Sequence, residues 1–300
     1  VAGGKTLDLG GYSLTGTYIG IDDAGKPVSG YSEAGQWNIA LERTDDELVI
    51  TFRDANIVNN SNTTTFMRVE YDGKVKIVLE GTNTITQGST LPSTGMRACL
   101  TIVTREKGAT ITSVNGGTLT ASTVGYKSKS GSNQCYASVF DVSGDLTIQD
   151  ANLTLNMKNQ STNAYVCHGI RCSGNVTIDN SVVNITNDYG AGIELSTKAD
   201  KMDAGVLDTT GANLIVRNGS QLTVNQTFAG ASATYVRQAI RVGTGSFKID
   251  TDNGTKVTLN SAKNAFNKAP VIEGDNGYEA VASATPGGDG AATYNLEANT

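Results

Sequence analysis

Asp141, Arg171, Glu194 and Arg241 occupy the same place in four successive copies of a short β pattern, and they alternate in sign; Glu70 stands at that place in an earlier copy. Charges one strand apart either pair with each other and fix register, or hold the hydroxyls and carboxylates of a ligand. Tyr136, Tyr165, Tyr189 and Tyr235 lie four or five residues upstream of Phe140, Ile170, Ile193 and Ile240, giving one tyrosine per copy at one corner. Such a row is either a stack of rings along the molecule or a platform for sugar rings, since tyrosine joins a flat apolar face to a hydroxyl.

Other residues offer weaker chemistry. The only histidine, His168, sits in Cys-His-Gly-Ile-Arg beside a strand, superficially like a catalytic corner of pectin-degrading hydrolases. An inverting hydrolase also needs two carboxylates flanking a water, yet Asp22-Asp23 and Asp45-Asp46 both fall in one insertion outside the regular pattern. A lyase needs clustered acids for calcium beside an arginine base, of which Asp141, Arg171 and Glu194 make a thin version. Calcium has two candidate corners, Asp250 with Asp252 in a turn shorter than an EF-hand loop, and Asp200, Asp203 and Asp208 in a second insertion. Leu91-Pro92-Ser93-Thr94-Gly95 matches a wall-anchoring pentapeptide, but the pattern continues past it with no apolar span following. Binding fits these residues better than catalysis.

The elements that must carry them are short strands. LVITFRDANIVN from Leu48, VKIVLEGTNTIT from Val75, ITSVNGGTLTA from Ile111, LTIQDANLTLN from Leu146, VTIDNSVVNIT from Val176, LIVRNGSQLTVN from Leu214 and FKIDTDNGTKVTLN from Phe247 share one plan. Each is an alternating strand, an Asn/Asp/Gly turn and a second strand; LDLGGYSLTGT from Leu7 is a weaker copy. A third strand precedes most copies, as in VFDV from Val139, GIRC from Gly169 and AIRV from Ala239. Alternation turns Leu146, Ile148, Leu153 and Leu155 inward and Thr147 and Thr154 outward, so each copy buries its inner face only against its neighbours. Three strands per turn, variable corners and the right-handed rule for parallel crossovers predict an all-β, right-handed parallel β-helix of about eight coils. At about 4.8 Å per coil it is a rod roughly 40 Å long. Thr86, Thr120, Thr154, Asn184, Thr223 and Thr258 should form one outward column of the second strand, and Asn156, Asn225 and Asn260 an amide ladder beside it.

One β-helix domain is expected over residues 1–276, with insertions at 18–47 and 196–211, and a cap-and-linker tail over 277–300. Of the 300 residues 35 are glycine and only 17% are charged, a mixture suited to strands and tight turns. The formal net charge of -6 disfavours nucleic acid and anionic membranes as partners, and no apolar run is long enough to span a bilayer. Val1 opens without a signal peptide, so the expectation is a cytosolic protein or one whose leader has been removed. Cys99, Cys135, Cys167 and Cys172 allow three disulfide pairings, but Cys172 follows the inward Ile170 by two and should be a buried thiol.

GKTLDLGGYSLTG, KVKIVLEGTNTIT, NGGTLTAS and GDLTIQDANLTLN resemble phrases of bacterial secreted right-handed β-helix proteins described as carbohydrate-binding, over roughly residues 5 to 260. A monomer is expected, and the resemblance implies a non-catalytic module that binds plant cell-wall or acidic polysaccharides outside the cell, with calcium as its optional cofactor. A pectin-type lyase or hydrolase and a purely structural stalk are the alternatives.

Overall fold

The computed structural model describes residues 7–9, 18–23, 27–31, 37–44, 46–59, 65–87, 95–104, 107–125, 135–159, 167–188, 190–196, 211–227, 238–261, 264–274, 278–282 and 292–298. Among these the protein is all-β, with a single 3-10 turn at Asp252–Gly254. No helix of the described residues is long and apolar enough to cross a membrane.

Strands at equivalent places in the repeat lie side by side in parallel, forming three stacks. The first-strand stack has eight rungs, at Glu47–Arg53, the starts of Lys74–Gln87 and Ala109–Gly125, Leu146–Gln149, Val176–Asp179, Leu214–Arg217, Phe247–Asp250 and Val271–Glu273. The second-strand stack runs from Asn56–Asn59 to Lys256–Ser261. The third runs from Thr65–Glu70 through Gly95–Val103, Cys135–Ser143, Cys167–Cys172, Ile193–Leu195 and Gln238–Arg241 to Asn264–Phe266. The inner faces form one continuous apolar core, in which Leu146, Ile148, Val176, Ile178, Leu214 and Val216 are completely buried.

The corners are held by side chains that copy the backbone bonding of the stacks. Before the first strand, Asn175 N–H donates to Asp145 Oδ1 at 2.7 Å, Asn213 N–H to Asn175 Oδ1 at 2.9 Å and Ser246 N–H to Asn213 Oδ1 at 2.9 Å. Between first and second strands the chain turns through positive φ at Asp54, Asn115, Asp150, Asn180, Asn218 and Asn253, the residue types that tolerate this region best after glycine. Just inside that turn Ala151 N–H donates to Ser181 Oγ at 3.1 Å and Ser181 N–H to Ser220 Oγ at 3.2 Å, so buried donors are satisfied from the next coil.

Register corrects three sequence assignments. Ala109, not Ile111, stands level with Val75 and Leu146. A two-residue slip keeps every side chain on its face, so alternation cannot detect it. For the same reason the outward column of the second strand contains Thr84 rather than Thr86: it runs Thr84, Thr120, Thr154, Asn184, Thr223, Thr258. Thr86 stands in the adjacent column, after Val58 and before Ser122, Asn156, Thr186, Asn225 and Asn260. Leu7–Leu9 is no coil of the parallel stacks, for it pairs antiparallel with Thr65–Glu70.

Both ends carry antiparallel strands. Ile39–Arg43 pairs antiparallel with Glu47–Arg53, and Tyr18–Ile21 pairs antiparallel with both Ile39–Arg43 and Pro27–Tyr31. Ala292–Ala298 pairs antiparallel with Lys256–Ser261 and with Tyr278–Ala282, so the described part of the tail closes the second-strand stack.

Candidate functional site

The third strand carries a local bend. Its two consecutive residues Val139 and Phe140 both lie in the core, as do Cys99 and Leu100, and Ala239 and Ile240. Gly169 and Gly192 fill the first of these two places on their rungs, where a Cβ would stand 2.4 Å from Ile185 Cγ2 and 2.2 Å from Val224 Cγ1. Two successive inward residues leave Ser138 and Asp141 on one outer face, and likewise His168 and Arg171.

On that face the aligned residues are Arg68, Thr101, Asp141, Arg171, Glu194 and Arg241. Glu70 is not a member; it sits level with Val103 and pairs with Arg68 on its own strand. The outer position of the last four proves not to be an exposed one, for Asp141 is 4%, Arg171 7%, Glu194 1% and Arg241 3% accessible. Their charges are consumed internally. Arg171 pairs with Asp141 and donates to Ser196 O at 3.4 Å, and Arg241 Nη1 lies 2.8 Å from Glu194 Oε2. Burial drives the Glu194 carboxyl up, yet the charges of His168 and Arg241 outweigh it and hold it at about 2. At Asp141 burial wins over Arg171 and raises the carboxyl.

His168 joins the same cluster, with Nδ1 3.3 Å from Ser138 Oγ and Nε2 3.3 Å from Glu194 Oε2. Serine, imidazole and carboxylate in a row have the composition of a nucleophilic triad. Ser138 and His168 are each 1% accessible, however, and both distances are long for activating contacts. Buried ion pairs of this kind are expensive to break, because removing one partner leaves the other charge buried and uncompensated.

The tyrosine row falls largely outside the described residues, which exclude Tyr165, Tyr189 and Tyr235; Tyr136 is described as backbone, level with Met96. Asp200, Asp203 and Asp208 also lie outside them. Asp250 Oδ1 accepts the Asp252 N–H at 3.0 Å, closing a turn whose next residue, Asn253, has positive φ. Among the described residues no three His, Cys, Asp or Glu side chains converge as a metal would need. Cys99, Cys167 and Cys172 are buried, and burial pushes the Cys172 thiol up to about 12.

An accessible site lies elsewhere, on the outer face of the first-strand stack. A polar groove of about 580 Å³ crosses four rungs there, lined by Glu47, Lys74, Lys76, Lys107, Thr110, Thr112, Asp145, Thr147, Gln149 and Asp150. Val75, Ile77 and Leu79 point inward, which turns Lys74 and Lys76 out, and Ala109 and Ile111 do the same for Thr110 and Thr112. The groove's charges are unequally engaged. Asp145 accepts from Asn175, and Asp150 Oδ1 from Asn180 Nδ2 at 2.7 Å. Lys74, Lys76 and Lys107 make no ion pair among the described residues, as is also true of Lys158, Lys256 and Lys268, whereas Arg53, Arg68, Arg171, Arg217, Arg241 and Lys248 each have an acidic partner. With Ala109 level with Val75 and Leu146, Lys76, Thr110 and Thr147 fall into one column.

No family model, no curated protein and no solved structure matches the chain.

Proposed function

We propose that the chain is a right-handed β-helix that works at the bacterial surface or outside the cell as a non-catalytic module holding an acidic polysaccharide. The observation that carries this reading is the groove lined by Lys74, Lys76 and Lys107 together with Thr110, Thr112, Thr147 and Gln149. Unengaged ammonium groups take carboxylates, and hydroxyls and an amide take sugar hydroxyls. Its volume lies within the usual range for a ligand site. The handedness follows the strong rule for parallel crossovers. Asp141, Arg171, Glu194 and Arg241 serve in this reading as internal struts and not as ligand contacts, which removes the main support for a lyase or hydrolase.

The test is affinity electrophoresis in gels containing polygalacturonate, or calorimetry with its oligomers. Lys76→Glu/Lys107→Glu should weaken binding at least about tenfold, and added salt should weaken the wild type, since exposed charge pairs are screened over about 10 Å at 0.1 M. Wild-type mobility unaffected by any acidic polysaccharide would sink the proposal, as would release of unsaturated or reducing ends.

A further inference from the structure

The outer face of the second-strand stack differs from its neighbours in having no charge on its two central columns. From Thr84 to Thr258 every residue of the first column, and from Thr86 to Asn260 every residue of the second, carries a hydroxyl or an amide. The first-strand face beside it bears Lys76, Asp179, Arg217 and Lys248. On five successive rungs Thr120, Thr154, Asn184, Thr223 and Thr258 are half-buried or exposed, and their side chains make no hydrogen bond among the described residues. We propose that this face is a second docking surface, for the ordered face of a neutral, insoluble polysaccharide.

The choice of occupant follows from charge and hydrogen bonding. A polyanion or polycation needs countercharges, which the two columns lack. Protein interfaces concentrate aromatic and apolar side chains at their centre, whereas here the apolar Val58 stands only on the terminal rung and the rungs from Thr84 and Thr86 onward hold none. A sugar chain presents groups that both donate and accept, as a threonine hydroxyl and an asparagine amide do. Rungs recur at about 4.8 Å and alternate outward residues at roughly 6.5 Å, so the face is a regular lattice of such groups. A packed polysaccharide surface is a regular lattice too, and a rigid array meets it without an ordering penalty on the protein side. The proposal concerns a different face from the lysine groove and stands independently of it.

The experiment is a pull-down of the full chain on microcrystalline cellulose, chitin and insoluble xylan, with the bound fraction read against protein concentration. The wild type should be retained on at least one polymer. Thr154→Lys/Thr223→Lys, which puts charge on alternate rungs, should lower the partition at least about tenfold. Asn184→Asp/Asn225→Asp changes charge with almost no change in volume and should lower it in the same direction, which decides the matter if the lysine variant fails to fold. Lys76→Glu/Lys107→Glu should leave retention unchanged, so failure at one face is distinguishable from failure at the other. A wild type that washes off all three polymers, or is instead concentrated into slowly growing ice, overturns the assignment; so does equal retention of folded charge variants.

Discussion

Glu194 shows how a charged residue is accommodated where solvent cannot reach it. It shares its carboxylate between Arg241 and His168, and its ionised form is favoured down to about pH 2. Its pKa is depressed from the ordinary 4.5, so the stability it contributes is full above that value and is lost as pH falls toward 2. Glu194→Gln should therefore destabilise by about 3–5 kcal/mol at neutral pH, because Arg241 stays buried beside a neutral amide. Denaturant melts between pH 5 and 2 should also show a flatter dependence in the variant. Asp141 works the other way, its carboxyl being raised by burial, and it remains in both proteins. The sign alternation of Asp141, Arg171, Glu194 and Arg241 was legible in the sequence because it recurs at one place in the repeat. Their burial was not, since alternation says which face a side chain takes and nothing about whether that face is covered.

At the scale of the element, the corners decide the register that alternation leaves open. Asn175 bonds forward and back, donating to Asp145 and accepting from the Asn213 N–H. Asn175→Ala should cost about 1–3 kcal/mol by stranding the Asn213 amide, whereas Thr177→Ala on the next strand should stay within about 0.5 kcal/mol. Chemical denaturation of the two variants side by side measures the difference. Asp145, Asn175 and Asn213 each stand one residue before an inward Leu or Val, so this ladder was open to view once the copies were aligned. The amides singled out instead, Asn156, Asn225 and Asn260, make a thinner set, with Asn260 donating to Asn225 at 2.8 Å and Asn156 to Ser122 at 3.3 Å. The paired inward residues of the third strand escaped notice because Val139-Phe140 and Ala239-Ile240 look like ordinary apolar runs.

In the molecule as a whole, each rung is stabilised chiefly by the two beside it, as in other stacked-repeat chains. Stability should therefore fall toward the ends. Amide exchange followed by mass spectrometry should find the slowest amides in Leu146–Gln149 and Val176–Asp179, flanked by rungs on both sides. Val271–Glu273, the last rung of its stack, has all three residues exposed and should exchange fastest among the first strands. Uniform protection from end to end would contradict nearest-neighbour stacking. The stacked plan was evident from seven aligned phrases. The ends were not, because Leu7–Leu9 keeps the apolar alternation of a coil while running antiparallel to its neighbour.

The double inward step in the third strand has a further effect, on how the chain tolerates change in length. Asp141 and Arg171 are 30 residues apart and Glu194 and Arg241 47, yet all four meet in one column. Register is the same on both sides of the step, for Ser138 aligns with His168 at the same 30-residue offset that Asp141 keeps with Arg171 beyond it. Differences in chain length therefore enter between rungs and not within them, and the step carries one phase through each strand so that the ion-paired column keeps time.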